Sequence, residues 1–422
     1  MKDDPSTPQS APSARGQEVL LEAPPLDYER VISSRMRQLP PYPFAKVESL
    51  KVQLRKKGRD VIDMGVGNPT DPTPQPIVDK IIEAVRDKRN HRYSVAAGVL
   101  NLRKELAKYY AEEFGVRLDP ETETLCTIGS KEGFSHMCLA ALGPGDVAIT
   151  PTPAFPIHVY GAVIAGASVV GIPSEGDDEA LLRRIHDAAA GLRPAPKALI
   201  LNYPHNPTAR VVEPGFFTEV VRIAKRFGLM VLHDFAYGRI CFDGYQAPSF
   251  LQAPGAKDVG VEFWTMSKGF NMAGWRCGYC VGNAAMIKAL AAIKKYFDYG
   301  LFQPVQIAAI IALRHCREAE RRQAAIYQER RDALCEGLAR AGWIVPKPRA
   351  TMFVWAPLPE KYRALGSLRF AMRLLEEADV AAAPGIGFGE DGDGYLRLSI
   401  IENKARLQQA VRNIRRAFFR GA

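Results

Sequence analysis

Hydrophobic positions in the middle of the chain fall into short runs separated by longer stretches with helical spacing. The runs are TLCTIG (124–129), DVAITP (146–151), ASVVGIP (167–173), KALILNY (197–203), LMVLHDF (229–235), VEFWTM (261–266) and RCGYCVG (276–282). Each predicts a buried strand. Between most of them, residues 131–142, 155–165, 178–191, 214–227 and 285–297 carry a helical pattern. Alternation of this kind predicts an α/β fold, a largely parallel sheet covered by helices on both faces. Ligands in such sheets bind at the carboxyl ends of the strands. Polar residues collect at those ends: Gly129-Ser130 after the first run, Asn206 after the fourth, Asp234 at the end of the fifth, and Ser267-Lys268 after the sixth. That coincidence predicts one composite site.

Beyond about residue 315 the pattern changes. A helical stretch (306–342) leads into strand-like GWIVP, MFVWAPL, VAAAPG and YLRLSI, then a final helix (403–419). These predict a smaller α+β domain. The segment 31–75 ends in turn-rich GVGNPTDPTP and is expected to join it. The expected organisation is a disordered tail (1–30), a joining segment (31–75), a large domain (76–315) and a small C-terminal domain (316–422). No internal repeat is visible.

Composition narrows the class. Apolar residues make up 47% and charged residues 24%, as in a globular protein. No apolar run reaches the length of a membrane span. The start, MKDDPSTPQSAPSARGQ, has no basic region followed by an apolar core, so it reads as a polar tail rather than a signal peptide. Seven cysteines, an odd number scattered through apolar contexts, argue against a disulfide framework and for the reducing cytoplasm. Cys277 and Cys280 have C-x-x-C spacing, but residues three apart on a strand face opposite sides, so they read as core. The net charge of +10 is spread over helix faces, with no basic stripe interleaved with aromatics. An anionic small ligand is expected; nucleic acid and membrane are not, nor is a bound metal.

The chemistry concentrates in TMSKGFNMAGWRCGY (265–279). A desolvated lysine with a lowered pKa attacks aldehydes, which suits Lys268 to a Schiff base; a merely exposed loop lysine is the competing reading. Gly129-Ser130-Lys131 lies between a strand end and a helix start, where free N–H groups and the helix dipole favour a phosphate. Ser267 adds a hydroxyl and Arg276 a bidentate fork. Asp234 would pair with a protonated pyridine nitrogen or cap the following turn. Tyr237 and Asn206 could bond the ring's phenolic oxygen. Arg397 in YLRLSI would clamp a substrate carboxylate or simply face solvent.

Taken together, NYPHNPTA (202–209), HDFAYGRI (233–240), SKGFNMAGWRCGYCVG (267–282), GSKEG (129–133) and YLRLSI (395–400) resemble the class I/II aminotransferases, fold-type I enzymes that use pyridoxal 5′-phosphate. The similarity runs in order from about residue 35 to 420. GVGNP, IGSKEG, FPIHVYGAVIAGA, MAGWR, DYG, PGIGFG and IEN are most similar to the bacterial alanine (glutamate–pyruvate) group, with diaminopimelate aminotransferases next. The resemblance implies a large domain with a seven-stranded, mainly parallel sheet and a homodimer with a shared site. It also implies roles. Lys268 forms the Schiff base and moves the proton at Cα. Asp234 pairs the pyridine nitrogen. Asn206 and Tyr237 hold the phenolic oxygen, and Phe155 stacks on the ring. Ser130, Lys131, Ser267 and Arg276, beside Gly129, hold the phosphate, reached from the second subunit by Tyr93. Gly67, Asn206 and Arg397 receive the substrate carboxylate.

Departures from the relatives' pattern fall at Val95-Ala96-Ala97, His205, Leu301 and Gln303. Two enzyme readings therefore stay open. One is amino-group exchange between an α-amino acid, alanine among the candidates, and a 2-oxo acid such as 2-oxoglutarate. The other is elimination, replacement, carbon–carbon bond formation or oxidation on the same cofactor. A DNA-binding regulator with an aminotransferase-like domain is not expected, because the Pro-rich leader shows no helix-turn-helix pattern.

Overall fold

The computed structural model describes residues 27–42 and 44–419. Most of the expected tail, residues 1–26, lies outside them; Tyr28–Val31 forms a single helical turn.

Eleven strands form two sheets among the described residues. In chain order they are β1 (Ile62–Met64), β2 (Thr124–Thr127), β3 (Val147–Thr152), β4 (Ser168–Pro173), β5 (Ala198–Asn202) and β6 (Met230–Asp234). Then come β7 (Gly260–Thr265), β8 (Gly278–Gly282), β9 (Phe353–Pro357), β10 (Val380–Pro384) and β11 (Tyr395–Ser399). The larger sheet has the order β2-β8-β7-β6-β5-β3-β4. Only β8 runs against its neighbours, pairing antiparallel with β2 and β7. All seven apolar runs of the central region are thus strands of one sheet. The reason is visible in β5 and β7, where every residue is buried. A strand covered on both faces has no exposed side to make polar, so it reads as a continuous apolar run.

Helices 130–141, 156–165, 178–191, 214–227 and 284–297 lie within a residue of their expected positions. The helix Pro214–Phe227 begins with Pro in its first turn and ends at Gly228 in the left-handed conformation, φ +69°. Four further helices of more than ten residues, Ala45–Lys56, Gln75–Arg86, Leu100–Phe114 and Gly366–Ala378, lie outside the expected set. No helix of the described residues is long and apolar enough to cross a membrane.

The smaller sheet has the order β1-β10-β11-β9. β1 pairs parallel with β10, so residues from the segment before the large sheet complete a sheet formed mainly by the C-terminal region. Two expectations need correction. The helical stretch 306–342 is two helices, Gln303–His315 and Arg317–Arg340, broken at Cys316. GWIVP forms no strand. Trp343 instead plugs the small-domain core, donating from Nε1 to the Pro357 carbonyl at 2.8 Å, while Ile344 is 81% exposed. Pro346 and Pro348 lack the N–H groups a strand ladder needs.

Cys277 and Cys280 pack into different apolar clusters, on opposite faces of the large sheet, and all seven cysteines are free thiols.

Candidate active site

The carboxyl ends of β5, β6 and β7 open into a cavity of about 710 Å³, closed on the other side by β1, β10 and β11. Lys268 stands in a helical turn, Met266–Gly269, that starts where β7 ends. Thr265 caps this turn: its hydroxyl accepts from the Ser267 amide at 3.2 Å and lies 2.9 Å from the Ser267 Oγ. The cap aims Ser267 and Lys268 into the cavity. Lys268 donates from Nζ to the Gly67 carbonyl at 2.7 Å. Burial, then the Arg397 and Arg276 guanidiniums, pull its pKa down to about 8, with Asp234 opposing them.

Arg276 adopts the left-handed conformation, φ +55°, which is unfavourable for a residue with a side chain. Its guanidinium lies against Gly129, itself at φ +79°. A Cβ on Gly129 would sit 2.3 Å from Arg276 Nη2, so any other residue here would displace the guanidinium. Ser130 opens the helix Ser130–Ala141, whose first N–H groups have no acceptor within the helix. Glycine, helix start, Ser267 and Arg276 form a cradle with the donor chemistry a phosphate needs.

Asp234 ends β6. His158 Nε2 lies 2.9 Å from its carboxylate, and the Ala236 amide donates to it at 3.2 Å. Asn202, at the end of β5, joins two candidate residues: its amide donates to the Asp234 carbonyl at 2.7 Å, and its Oδ1 accepts from the Asn206 amide at 2.8 Å. The Tyr237 phenol faces Asn206, and burial pushes its pKa up.

Arg397 projects from β11 and is 5% exposed. It donates to Asn206 Oδ1 at 2.8 Å and to the Gly65 carbonyl at 2.9 Å, and its Nε is buried without a partner. The rings of Phe353 and Phe388 lie 4.1 and 4.8 Å from its guanidinium carbon. Burial lowers its pKa to about 10. The solvent-facing alternative is excluded.

Lys131 and Phe155 also line the cavity, with the Lys131 Nζ 5.8 Å from the centre of the Phe155 ring. Among the described residues, none of Lys131, Lys268, Arg276 and Arg397 is ion-paired to a carboxylate. Four unpaired cations around Asp234 leave the cavity electropositive. Tyr93 alone of the expected site residues lies away from it: Tyr93 is 90% exposed and packs on Tyr299 at 5.3 Å. A separate polar cluster, Glu132, His136 and Asp298, encloses the Lys294 ammonium, which pairs with both carboxylates at 3.0 and 2.9 Å.

His158, Asn202 and Thr265 were not legible as site residues. His158 lies on a mostly apolar helix, 76 positions from its carboxylate partner, so nothing local marks it. Asn202 left a signal, a polar residue closing an apolar strand, of the same kind that singled out Asp234.

Comparisons with known proteins agree with this geometry. The pattern of the family described as aminotransferase class I and II matches residues 59–414. A protein of Rhizobium meliloti (strain 1021), provisionally named aminotransferase AatC, is 50% identical over 90% of this chain and 94% of its own length. The glutamate–pyruvate aminotransferase AlaC of Escherichia coli (strain K12) is 48% identical over 91% of this chain and 93% of its own. The substrate-bound BacF structure from Bacillus subtilis superposes with a TM-score of 0.84 at 32% identity, covering 92% of this chain and 97% of that one. These names favour amino-group transfer over the other reactions left open by the residues. With a site of this composition on a sheet of this topology, the chain belongs to the class I and II aminotransferases and is a transferase of amino groups.

Proposed function

We propose that this aminotransferase holds pyridoxal 5′-phosphate in the cavity and exchanges an amino group between alanine and 2-oxoglutarate, giving pyruvate and glutamate. The observation that carries the cofactor assignment is the Gly129–Arg276 cradle set opposite Asp234 in one cavity. The AlaC name supports the substrate pair.

Ser130, Lys131, Ser267 and Arg276 would hold the phosphate, with Gly129 leaving room for the arginine. Asp234 would hold the proton on the pyridine nitrogen. Asn206 and Tyr237 would donate to the phenolic oxygen, and Phe155 would cover the ring. When bound, the cofactor supplies an aldehyde for amines and a ring that accepts the electron pair released at Cα.

The protein's own groups do the rest. Burial draws the pKa of Lys268 down to about 8, which favours the neutral amine, so Nζ serves as a nucleophile and then as the base that takes and returns the Cα proton. His158 steadies the Asp234 carboxylate. Arg397 and Asn206 orient the substrate carboxylate beside the Gly67 strip, fixing which Cα bond faces the lysine.

The same reading makes the enzyme a homodimer. Tyr93, Val95, Tyr296, Phe297, Tyr299 and Phe302 are all exposed, an apolar patch of the kind that a second subunit covers. Tyr93 of the partner subunit would complete the phosphate cradle. It also divides the chain into a large domain (76–315) and a small one (316–422) joined by 31–75, supported by the two separate sheets.

An absorbance spectrum of the purified protein, alone and with single amino acids added, tests the proposal. The expected result is a yellow band that alanine or glutamate bleaches and pyruvate or 2-oxoglutarate restores. Borohydride reduction should then leave a mass addition on Lys268, absent in Lys268→Ala along with turnover. A protein that takes up no pyridoxal phosphate would sink the cofactor assignment. A band untouched by alanine and glutamate would remove the substrate pair and leave the cofactor.

A further inference from the structure

Arg397 and Lys268 share an unusual support. Gly65 and Gly67, two residues apart, hold them through backbone carbonyls: Arg397 donates to Gly65 and Lys268 to Gly67. The strip Gly65-Val66-Gly67 follows β1 directly and belongs to no strand. It runs tightly along the small-domain sheet. A Cβ on Gly67 would lie 2.7 Å from the Phe353 ring. Neither carbonyl can be removed by a side-chain change, so whatever orients this backbone orients both cations.

That orientation comes from Asp63, the middle residue of β1. Its Oδ1 accepts from the Gly65 amide at 3.0 Å, bridging two residues where the chain leaves the sheet. Its Oδ2 accepts from Lys51 Nζ at 2.6 Å. Lys51 comes from the helix Ala45–Lys56, is only 4% exposed, and also pairs with Glu48 at 2.6 Å. The Arg55 guanidinium lies farther off, 3.9 Å from Asp63. Burying a lysine is costly, and replacing a buried ion pair with apolar side chains is often neutral or stabilising. Stability alone does not account for a lysine placed here. Both residues line the active-site cavity.

We propose that Asp63, anchored by Lys51, is a positioning residue for substrate binding: it sets the Gly65 peptide, and through its carbonyl the Arg397 guanidinium that receives the substrate carboxylate. The effect on Arg397 is specific because that side chain has no carboxylate partner of its own. Between the Phe353 and Phe388 rings, its hydrogen bonds run to Gly65 on one side and Asn206 on the other. The proposal rests on the reading of Arg397 as the carboxylate site.

The test uses paired substitutions in the cofactor-loaded enzyme, chosen so that no buried charge is left unpaired. Asp63→Ala with Lys51→Met removes the ion pair and the acceptor for the Gly65 amide. Asp63→Asn with Lys51→Met removes the ion pair and keeps the acceptor. In the alanine variant KM for the amino acid is expected to rise about tenfold, more than kcat falls, the size of one weakened hydrogen bond to a charged group. Affinity for propanoate, a carboxylate without amino or oxo group, is expected to fall by the same factor in calorimetry. The asparagine variant is expected to recover most of both. Equal effects in the two variants, or a loss of thermal stability with unchanged KM and propanoate affinity, would overturn the proposal and leave the pair a structural brace. Arg397→Gln is the control. If it leaves propanoate binding intact, the carboxylate site lies elsewhere and the reading beneath the proposal fails instead.

Discussion

Arg397 donates from Nη1 to Asn206 Oδ1 at 2.8 Å, across 191 positions of sequence and from the small sheet to the loop beyond β5 of the large one. The bond joins the two halves of the site at the point where a substrate carboxylate would dock. Arg397→Gln is therefore expected to raise KM for both amino acid and 2-oxo acid on the order of 100-fold, the scale for losing one partner of a buried charged pair. Steady-state kinetics with each substrate varied in turn would measure it. An unchanged KM would mean that the guanidinium serves only to tie the halves together.

Gly129→Ala tests the cradle. The added Cβ would meet Arg276 Nη2 at 2.3 Å on a backbone already at positive φ. The guanidinium must then move, and pyridoxal phosphate affinity is expected to fall at least tenfold, about 1.4 kcal/mol. Fluorescence titration of the resolved protein with pyridoxal phosphate gives the constant directly. Equal affinity in the variant would separate Arg276 from the phosphate.

His205 offers a pH signature. Its ring is buried, with Nδ1 2.7 Å from Thr208 Oγ1, and burial pulls its pKa down to about 3. In the unfolded chain it takes a proton near its ordinary value of 6.5. Between these values the unfolded state binds more protons. The contribution is therefore fully present above pH 6.5 and is lost progressively as pH falls toward 3. By pH 5 the wild type is expected to lose about 2 kcal/mol more than His205→Asn. Urea unfolding of both proteins at pH 5 and pH 8 checks this, and parallel losses would show that the ring titrates freely.

Tyr93 tests the assembly. As a single chain the phenol has nothing to do at the site: it is 90% exposed, outside the cavity. Sedimentation is expected to show a dimer. Tyr93→Phe is expected to weaken pyridoxal phosphate binding several-fold without dissociating it, as loss of one hydrogen bond would. A monomer with full activity would refute the shared site.

The seven central strands were legible because burial on both faces imposes continuous apolar runs, and their ends marked the site because ligands bind there in parallel sheets. Asp234 and Lys268 could be named for the same reason, since a charged residue at the end of an apolar strand is conspicuous in one dimension; Arg276 stands ahead of β8 instead and was marked by its nearness to Lys268. GWIVP misled because an apolar run does not say whether a tryptophan lies in a ladder or plugs a core.

The sequence by itself determined the large sheet, most of its covering helices and the family. It also named the residues of the cofactor site, since these follow from residue types and their order, but it left the choice between amino-group exchange and other reactions open. Only the tertiary structure decided that Arg397 faces the cavity and not solvent, that His158 stands behind Asp234, and that Asp63 and Lys51 brace the strip beneath both cations. Those relations join positions tens to hundreds of residues apart, and burial and hydrogen-bond geometry between distant segments exist only once the chain has packed.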